Sequence, residues 1–461
     1  MQKRFSTAIF VSFLAFGFVT SAHSQTKADV RSKMKKAANF FVEKVARHGG
    51  YVYYTSPDLK IRLGEGPATD SQVWVQPPGT PTVGMAFLTA YEATSDSYYL
   101  SAALKAGQAL IQGQLPSGAW TNNIDFSPEK KRTRNFSTLD DDISQSAIRF
   151  MLLLDKATQF KNKPIHDSTT KALDSLLAAQ FPNGAFPQGW DETLAKAPAN
   201  DAKASFPSHD WKSEGRIKDY WDMYTLNDGL APSVSKTLNL AHQITGEERF
   251  LTSLKHLGNF LILAQMPEPQ PAWAQQYNYA MEPIWARKFE PAAIAGRETE
   301  GVIATLLRIA ACTEDTRLLK PVPAALAWLK RSELPNGKLA RYYELQSNKP
   351  LYMARKGKTY SPTHDDSNLP SHYGWKNPSR HLALETAYNA FPNLPNPILP
   401  DIETTPDVTE ILSSLNDDGA WISTYSGEPL PGQPKFKSGE QYIHSGVFSD
   451  NLTALASFLK R

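Results

Sequence analysis

One pattern recurs along the chain and limits what it can become. "IQGQLPSGAW" (Ile111 to Trp120), "LAAQFPNGAF" (Leu177 to Phe186), "LKRSELPNGKLA" (Leu329 to Ala340) and "LSSLNDDGAWIS" (Leu412 to Ser423) share a plan. A helix-like stretch ends, a turn carries Pro or Asp before Gly, and an apolar or aromatic residue usually follows. Proline cannot easily continue a helix, and glycine suits the left-handed backbone at a helix end. Between these turns run stretches such as "YYLSAALKAGQALIQGQ", "DISQSAIRFMLLLDKAT", "ERFLTSLKHLGNFLILAQ" and "EGVIATLLRIAACTED", with apolar residues at helical spacing. Alternating runs are few and short. The expectation is a mainly α fold. A helix-hairpin repeat closes into an α/α toroid-like ring, with short β-hairpin and loop segments lining a central groove. Such a ring gathers its loops at one mouth. The aromatics that follow the Pro-Asn-Gly turn, Phe186 and Trp190, then stand either at the rim of a sugar-binding groove or in the core.

The beginning of the chain sets the compartment. Lys3 and Arg4 precede the apolar run "STAIFVSFLAFGFVTSA", which is short for a membrane span, and Ala22-His23-Ser24 offers small residues at a cleavage site. A signal peptide over 1–24 and a single domain over 25–461 are expected, in a secreted or periplasmic protein. Removing the leader leaves 47 basic against 46 acidic residues. That near-neutral balance argues against nucleic acid as the main partner. No other stretch is apolar enough for a membrane, and a monomer is expected. The single cysteine, Cys312, excludes an internal disulfide, so stability must come from a large packed core. The longest segment of weak period, 191–224, carries Trp211, Tyr220, Trp221 and Tyr224, which favour a packed functional loop. The proline-rich run from Pro392 leads into a further helix and is kept in the same domain.

Three places concentrate charge. Asp140, Asp141 and Asp142 stand just before a helix in "STLDDDISQS"; one carboxylate suffices for a cap, and three adjacent ones repel. A divalent cation with a preference for hard oxygen ligands would relieve that repulsion. "YTLNDGLAPS" repeats the theme at Asn227 and Asp228. In "GKLARYYELQSNKPLYMARKGK", Arg341 and Arg355 are fourteen residues apart. In a hairpin with an odd-length loop they share one face, where two guanidiniums need an anion between them. A uronic acid carboxylate is such an anion. Arg287, with Lys288 beside it, adds positive charge among aromatics. The ten tryptophans and eighteen tyrosines suit stacking on sugar rings as well as core packing.

Taken together, four blocks resemble the family ten polysaccharide lyases, pectate lyases with an α/α-toroid-like fold. They are "STLDDDISQSAIRF", "AAQFPNGAFPQGW…YTLNDG", "WAQQYNYAMEPIWARKFEPAAIAG" and "ARYYELQSNKPLYMAR", and the resemblance covers about residues 95–380. It implies Ca²⁺ and substrate carboxylate at Asp140 and Asp228. It implies Arg287 as general base, and Arg341 and Arg355 as substrate-binding arginines, with Asp141 and Asn227 also at the substrate. The implied reaction is Ca²⁺-dependent β-elimination on (1→4)-α-D-galacturonan, with the acidic polysaccharide as partner. The base removes the C5 proton of a uronate, and the bond to the C4 oxygen breaks. An arginine base conflicts with its pKa above ~12. Nearby cations, namely Ca²⁺, Lys288 and the other arginines, are expected to disfavour its charge. The family usually has asparagine where this chain has Asp141, and a second glycine where it has Ala185. Two other readings compete: an α/α-toroid glycoside hydrolase using Asp140 and Asp228, and an exported uronate-binding protein without activity.

Overall fold

The computed structural model describes residues 26–128, 134–191, 201–212, 216–391 and 407–461. The expected leader, the proline-rich run and parts of the 191–224 loop lie outside the described residues. The helices are α1 (Lys27–Phe40), α2 (Thr80–Thr94), α3 (Ser97–Gly113), α4 (Ile143–Ala157), α5 (Lys163–Ala178) and α6 (Leu230–Thr245). After them come α7 (Glu248–Leu263), α8 (Gly296–Thr313), α9 (Val322–Ser332), α10 (His381–Ala390), α11 (Val408–Ser413) and α12 (Ser445–Lys460). Local chemistry starts many of them. Asp96 caps α3 by accepting from the Tyr98 amide, Asn162 caps α5, and prolines occupy the first turns of α2, α5 and α9.

Helix pairs α2–α3, α4–α5, α6–α7 and α8–α9 form antiparallel hairpins. Their first members pack in series, α12 on α2, α2 on α4, α4 on α6 and α6 on α8. Residues with apolar side chains between Val30 and Leu459 join one contiguous buried cluster. The result is the mainly α, toroid-like arrangement the repeat implied.

At one end of the ring each hairpin is closed by short antiparallel pairing between the strand before its first helix and the strand after its second. The strand before α2 (Gln72–Trp74) pairs with Asn123–Asp125, beyond the turn that ends α3. The strand before α4 (Ser137–Thr138) pairs with Gly189–Trp190, and the one before α6 (Tyr224–Thr225) with Gln276–Tyr277. Ile294–Ala295 before α8 pairs with Tyr342–Tyr343, and Gln441–His444 before α12 with Tyr54–Thr55. The N-termini of the inner helices therefore converge on this end.

The recurrent turn has a common lock. Gln114 donates through Nε2 to the Gly118 and Ser168 carbonyls, and Gln180 donates likewise to Gly184 and Ser253. Gln265 does the same to Pro271 and Pro321, in a copy whose turn lacks glycine and which sequence reading passed over. Gly118, Gly184, Gly337 and Gly419 all have positive φ. At Gly184 a Cβ would stand 2.0 Å from the His256 carbonyl oxygen, so the turn admits no side chain.

The aromatics of this motif settle one expectation against the groove. Phe186 is 1 % exposed and Trp190 3 %. Trp120 and Trp421 are buried too, each donating its indole N–H to a carbonyl ten residues back. A ring that must hold adjacent hairpins together places its largest apolar surface between them rather than at the mouth.

Candidate active site

The two acidic segments fold alike. Asp140–Asp142 and Asn227–Gly229 are single 3-10 turns just before α4 and α6. Asp141 (φ 44°) and Asp228 (φ 51°) take the left-handed conformation at equivalent positions. Aspartate tolerates that backbone better than most residues, but at a cost that marks functional sites more often than ordinary caps. The Leu139 amide donates to the Gln188 carbonyl, and the Leu226 amide to the Gln275 carbonyl. Both turns are thus fixed by the strand that follows the neighbouring helix-end turn.

This geometry brings Asp140, Asp141 and Asp228 together. One carboxylate oxygen from each lies within 4.8 Å of the others. Asp142 turns away and pairs with Arg149. Gln76 Nε2 donates to Asp141 Oδ2 at 3.0 Å, and Asn227 Nδ2 to Asp228 Oδ2 at 2.7 Å. Asn227 is itself held by Gln275, whose side-chain amide donates to it. Oδ1 of Asp140 is buried and accepts no hydrogen bond. An orphaned carboxylate oxygen facing two other carboxylates is an all-oxygen, net-negative donor set, which fits a hard divalent cation.

Electrostatics separates the three acids. Burial, then the charge of Asp228, pushes Asp140 up to about 8. Asp141, whose exposed surface faces a cavity, is raised to about 6 by desolvation, then by Asp228 and Glu65. Burial pushes Asp228 upward as well, but Arg287 and Arg341 outweigh it and hold that carboxylate below its ordinary value.

Two of the three arginines singled out from the sequence meet on Asp228. Arg287 Nη2 donates to Oδ2 at 2.7 Å, and Arg341 Nη2 to Oδ1 at 3.2 Å. Arg287 also pairs with Glu290 Oε1 at 2.7 Å, and Arg341 lies 3.5 Å from Glu298 Oε1. Tyr373 donates to Glu290 at 3.1 Å, and its ring lies 4.3 Å from the Arg341 guanidinium. Of the cations expected to weaken the charge on Arg287, Arg341 shares Asp228 with it, while Lys288 and Arg355 make their hydrogen bonds elsewhere. Lys288 is exposed, and its ammonium donates to the Lys358 carbonyl at 3.4 Å. Burial opposes the Arg287 charge, but Glu290 and Asp228 prevail and hold the guanidinium above its usual range.

Arg355 is placed differently from the expected side-by-side pair. Tyr342 pairs with Leu351 and Tyr343 with Pro350, so the connecting loop has an even number of residues. The parity argument then reverses. Arg341 is 3 % exposed, whereas Arg355 is exposed on the outer hairpin, bonded to the Gly357 carbonyl and 5.7 Å from the Tyr360 ring. The anion that Arg341 shares with a second guanidinium is Asp228, and the partner is Arg287.

A cavity of about 980 Å³ opens beside the cluster, lined by Asp141 and Asp228 at one end and by Arg297, Glu298, Glu300 and Arg380 from α8 and the segment before α10. Sequence reading missed Glu290, Glu298, Tyr373 and Gln275. None of them stands in a charge run, and only the short "KFEPAA" and "GRETEG" segments could have drawn attention to the two glutamates.

Comparison with known proteins bears on this arrangement. Residues 127–339 match the family model described as pectic acid lyase. That segment contains Asp140, Asp141, Asn227, Asp228 and Arg287, and it ends just before Arg341. No curated protein matches the sequence. Among solved structures, a family 10 polysaccharide lyase from Cellvibrio cellulosa, a mutant in complex with trigalacturonic acid, is 18 % identical with a TM-score of 0.47, covering 68 % of this chain and 96 % of its own. A cellobiose 2-epimerase from Bacillus thermoamylovorans is 12 % identical with a TM-score of 0.47, covering 94 % and 99 %. The family match bears out the resemblance read from the sequence and the reading of the chain as a polysaccharide lyase.

Proposed function

We propose, from the pectic acid lyase match, that the protein is a Ca²⁺-dependent pectate lyase. In this reading it cleaves (1→4)-α-D-galacturonan by β-elimination. The observation that carries this reading is the convergence of Asp140, Asp141 and Asp228 with Arg287 and Arg341 around one cluster beside a cavity. Asp140 and Asp228 would hold the cation, with Asp141 as a third oxygen donor. Bound there, Ca²⁺ supplies positive charge against the substrate carboxylate and the enolate-like charge that follows C5 deprotonation.

The side chains divide the remaining work. Arg341, locked between Asp228, Glu298 and the Tyr373 ring, presents a fixed guanidinium to the uronate carboxylate. Asn227, held by Gln275 and donating to Asp228, is assigned to the same substrate site. Arg287 is the group we assign to the C5 proton. Its Nη2 is occupied by Asp228 and Glu290, while its buried Nε makes no hydrogen bond. Because both carboxylates favour its protonated form, a neutral Arg287 demands alkaline conditions. Arg355 is assigned to substrate at the outer rim. Export through the 1–24 leader and action as a monomer complete the proposal.

The hydrolase reading fares less well. An inverting pair needs its carboxyls ~6.5–9.5 Å apart to admit water, and a retaining pair ~5–5.5 Å. Here both oxygens of Asp228 are engaged by arginines, Oδ2 by Arg287 and Oδ1 by Arg341, which leaves it poorly placed as base or nucleophile. The test is a time course on polygalacturonate with and without chelator. Ultraviolet-absorbing unsaturated ends that form only with Ca²⁺ support the lyase. Reducing ends without ultraviolet absorbance would establish the hydrolase, and tight binding of oligogalacturonate with no product would establish the binding protein.

A further inference from the structure

The 191–224 loop is absorbed by none of the roles above, yet part of it is built into a second pocket. Arg216 forms a parallel β-bridge with Trp285, the Ile217 amide donates to the Trp285 carbonyl at 2.9 Å, and Arg216 Nε donates to the Ala286 carbonyl at 3.2 Å. The loop is thereby laid along the backbone that leads to Arg287. Across from it stands the tip of the outer hairpin, where Lys288 donates to the Lys358 carbonyl. Between them lies a cavity of about 360 Å³, lined by Lys212, Arg216, Trp285, Lys288, Lys358 and Tyr360 among others.

The chemistry of this lining is one-sided. Four cations and two aromatic rings meet there, and no described carboxylate lines the cavity. Lys212 is engaged by Glu344. Arg216, Lys288 and Lys358 are exposed and make no ion pair among the described residues. In a chain whose charges nearly cancel, three such cations around one hollow repel one another unless an anion lies between them. Trp285 is oriented for contact, because its indole N–H donates to the Arg287 carbonyl at 3.0 Å and leaves the ring against the pocket. Aromatic faces beside cations match a sugar that carries a carboxylate: the ring stacks and the acid pairs.

We propose that this pocket is a distal subsite that binds a further uronate unit of the same polysaccharide chain, away from the bond being cleaved. The proposal rests on the galacturonan reading. The loop, through Arg216, and the hairpin tip, through Lys358, make the enzyme favour long chains over short ones. Trp285 lines this pocket and donates to the Arg287 carbonyl, which sets the distal subsite beside the segment that carries Arg287.

Full-length enzyme with Ca²⁺, and its Arg216→Ala, Lys358→Glu and double variants, would be assayed on polygalacturonate and on trigalacturonate at several salt concentrations. On the long substrate, KM is expected to rise about tenfold for each variant, with kcat unchanged and with less dependence on salt. On the trimer, both constants should stay at the parent values. Equal KM changes on both substrates, or none on either, would overturn the distal subsite. Calorimetric titration of the same proteins with long oligogalacturonate gives an independent answer. If the parent makes no unsaturated product, the lyase reading fails; weaker binding in the variants would still support the pocket, and unchanged binding would reject it.

Discussion

Arg287 and Arg341, 54 positions apart in sequence, donate to opposite oxygens of one carboxylate, Asp228. Asp228 therefore fixes two guanidiniums at once while offering itself to the acidic cluster. A second route, from Arg287 through Glu290 and Tyr373 to Arg341, runs beside it, but Asp228 is the one described residue that accepts from both guanidiniums, so their spacing depends on the left-handed turn that positions it.

Arg287 is expected to be indispensable. Arg287→Ala should lower kcat by about 10²–10⁴-fold, the usual contribution of a general base. Arg287→Lys should be nearly as impaired, because an ammonium cannot reproduce the planar donation to Asp228 and Glu290. Since both carboxylates hold the guanidinium protonated, kcat should climb with pH into the alkaline range. Steady-state rates of unsaturated product against pH measure this; an Arg287→Ala enzyme with parental kcat would remove the residue from the reaction.

Calcium binding should be coupled to protons. Asp140 at about 8 and Asp141 at about 6 must lose protons to become ligands. Affinity should rise as pH increases from about 5 to 9, with proton release on binding, measurable by calorimetry in buffers of different ionisation enthalpy. The cation-free protein should show the reverse trend in stability. Asp140's folded value lies above the unfolded one, so its contribution is complete below the ordinary carboxylate range and vanishes as pH rises through about 8. In Asp140→Asn both trends should flatten; an unchanged Ca²⁺ titration would exclude Asp140 as a ligand.

Arg341 carries structural weight as well. Its side chain is 4 % exposed beside a Glu298 side chain that is fully buried, with Glu298 Oε2 making no hydrogen bond. Arg341→Ala strands Glu298 and removes one of the three side-chain donors to Asp228, and should destabilise the protein by about 3–5 kcal/mol. Adding Glu298→Gln should recover part of the loss. Urea titrations of the two variants decide between this and a purely substrate-binding arginine, which would lose activity at full stability.

The helix-end turns are expected to differ in tolerance. Gly184→Ala meets the His256 carbonyl oxygen and a φ of +93°, whereas Gly337→Ala, at φ +69°, meets nothing within 4 Å. The backbone term alone is about 1–3 kcal/mol in either case. Gly184→Ala should therefore be clearly the more damaging in denaturant midpoint; equal losses would show that the turn relaxes.

Helical periodicity, the recurrent turn and the two Leu-Asx-Asx entrances were legible because each is a local property. Period, capping and the need for a left-handed residue act over a few neighbouring positions. The same locality made Asp140, Asp228 and Arg287 visible as charges in unusual settings. The parity of the Arg341–Arg355 hairpin was read from an assumed loop, and the actual register, set by the pairing of Tyr342 with Leu351 and with Ala295, reversed it. Phe186 and Trp190 look identical in sequence whether they face a groove or a neighbouring helix; only the packing of adjacent hairpins assigns them to the core.

Local order along the chain is enough to make helix hairpins, stop them at defined turns and cluster acids before two of the helices. Tertiary structure alone decided which charges meet. Asp228, the Arg287–Glu290 segment, Glu298 and Arg341 come from separate parts of the ring, and their meeting depends on how the strand before each hairpin pairs with the strand after it. Coulomb energy falls off with distance and grows with burial, so the roles of these groups follow from separations and desolvation that no linear spacing contains.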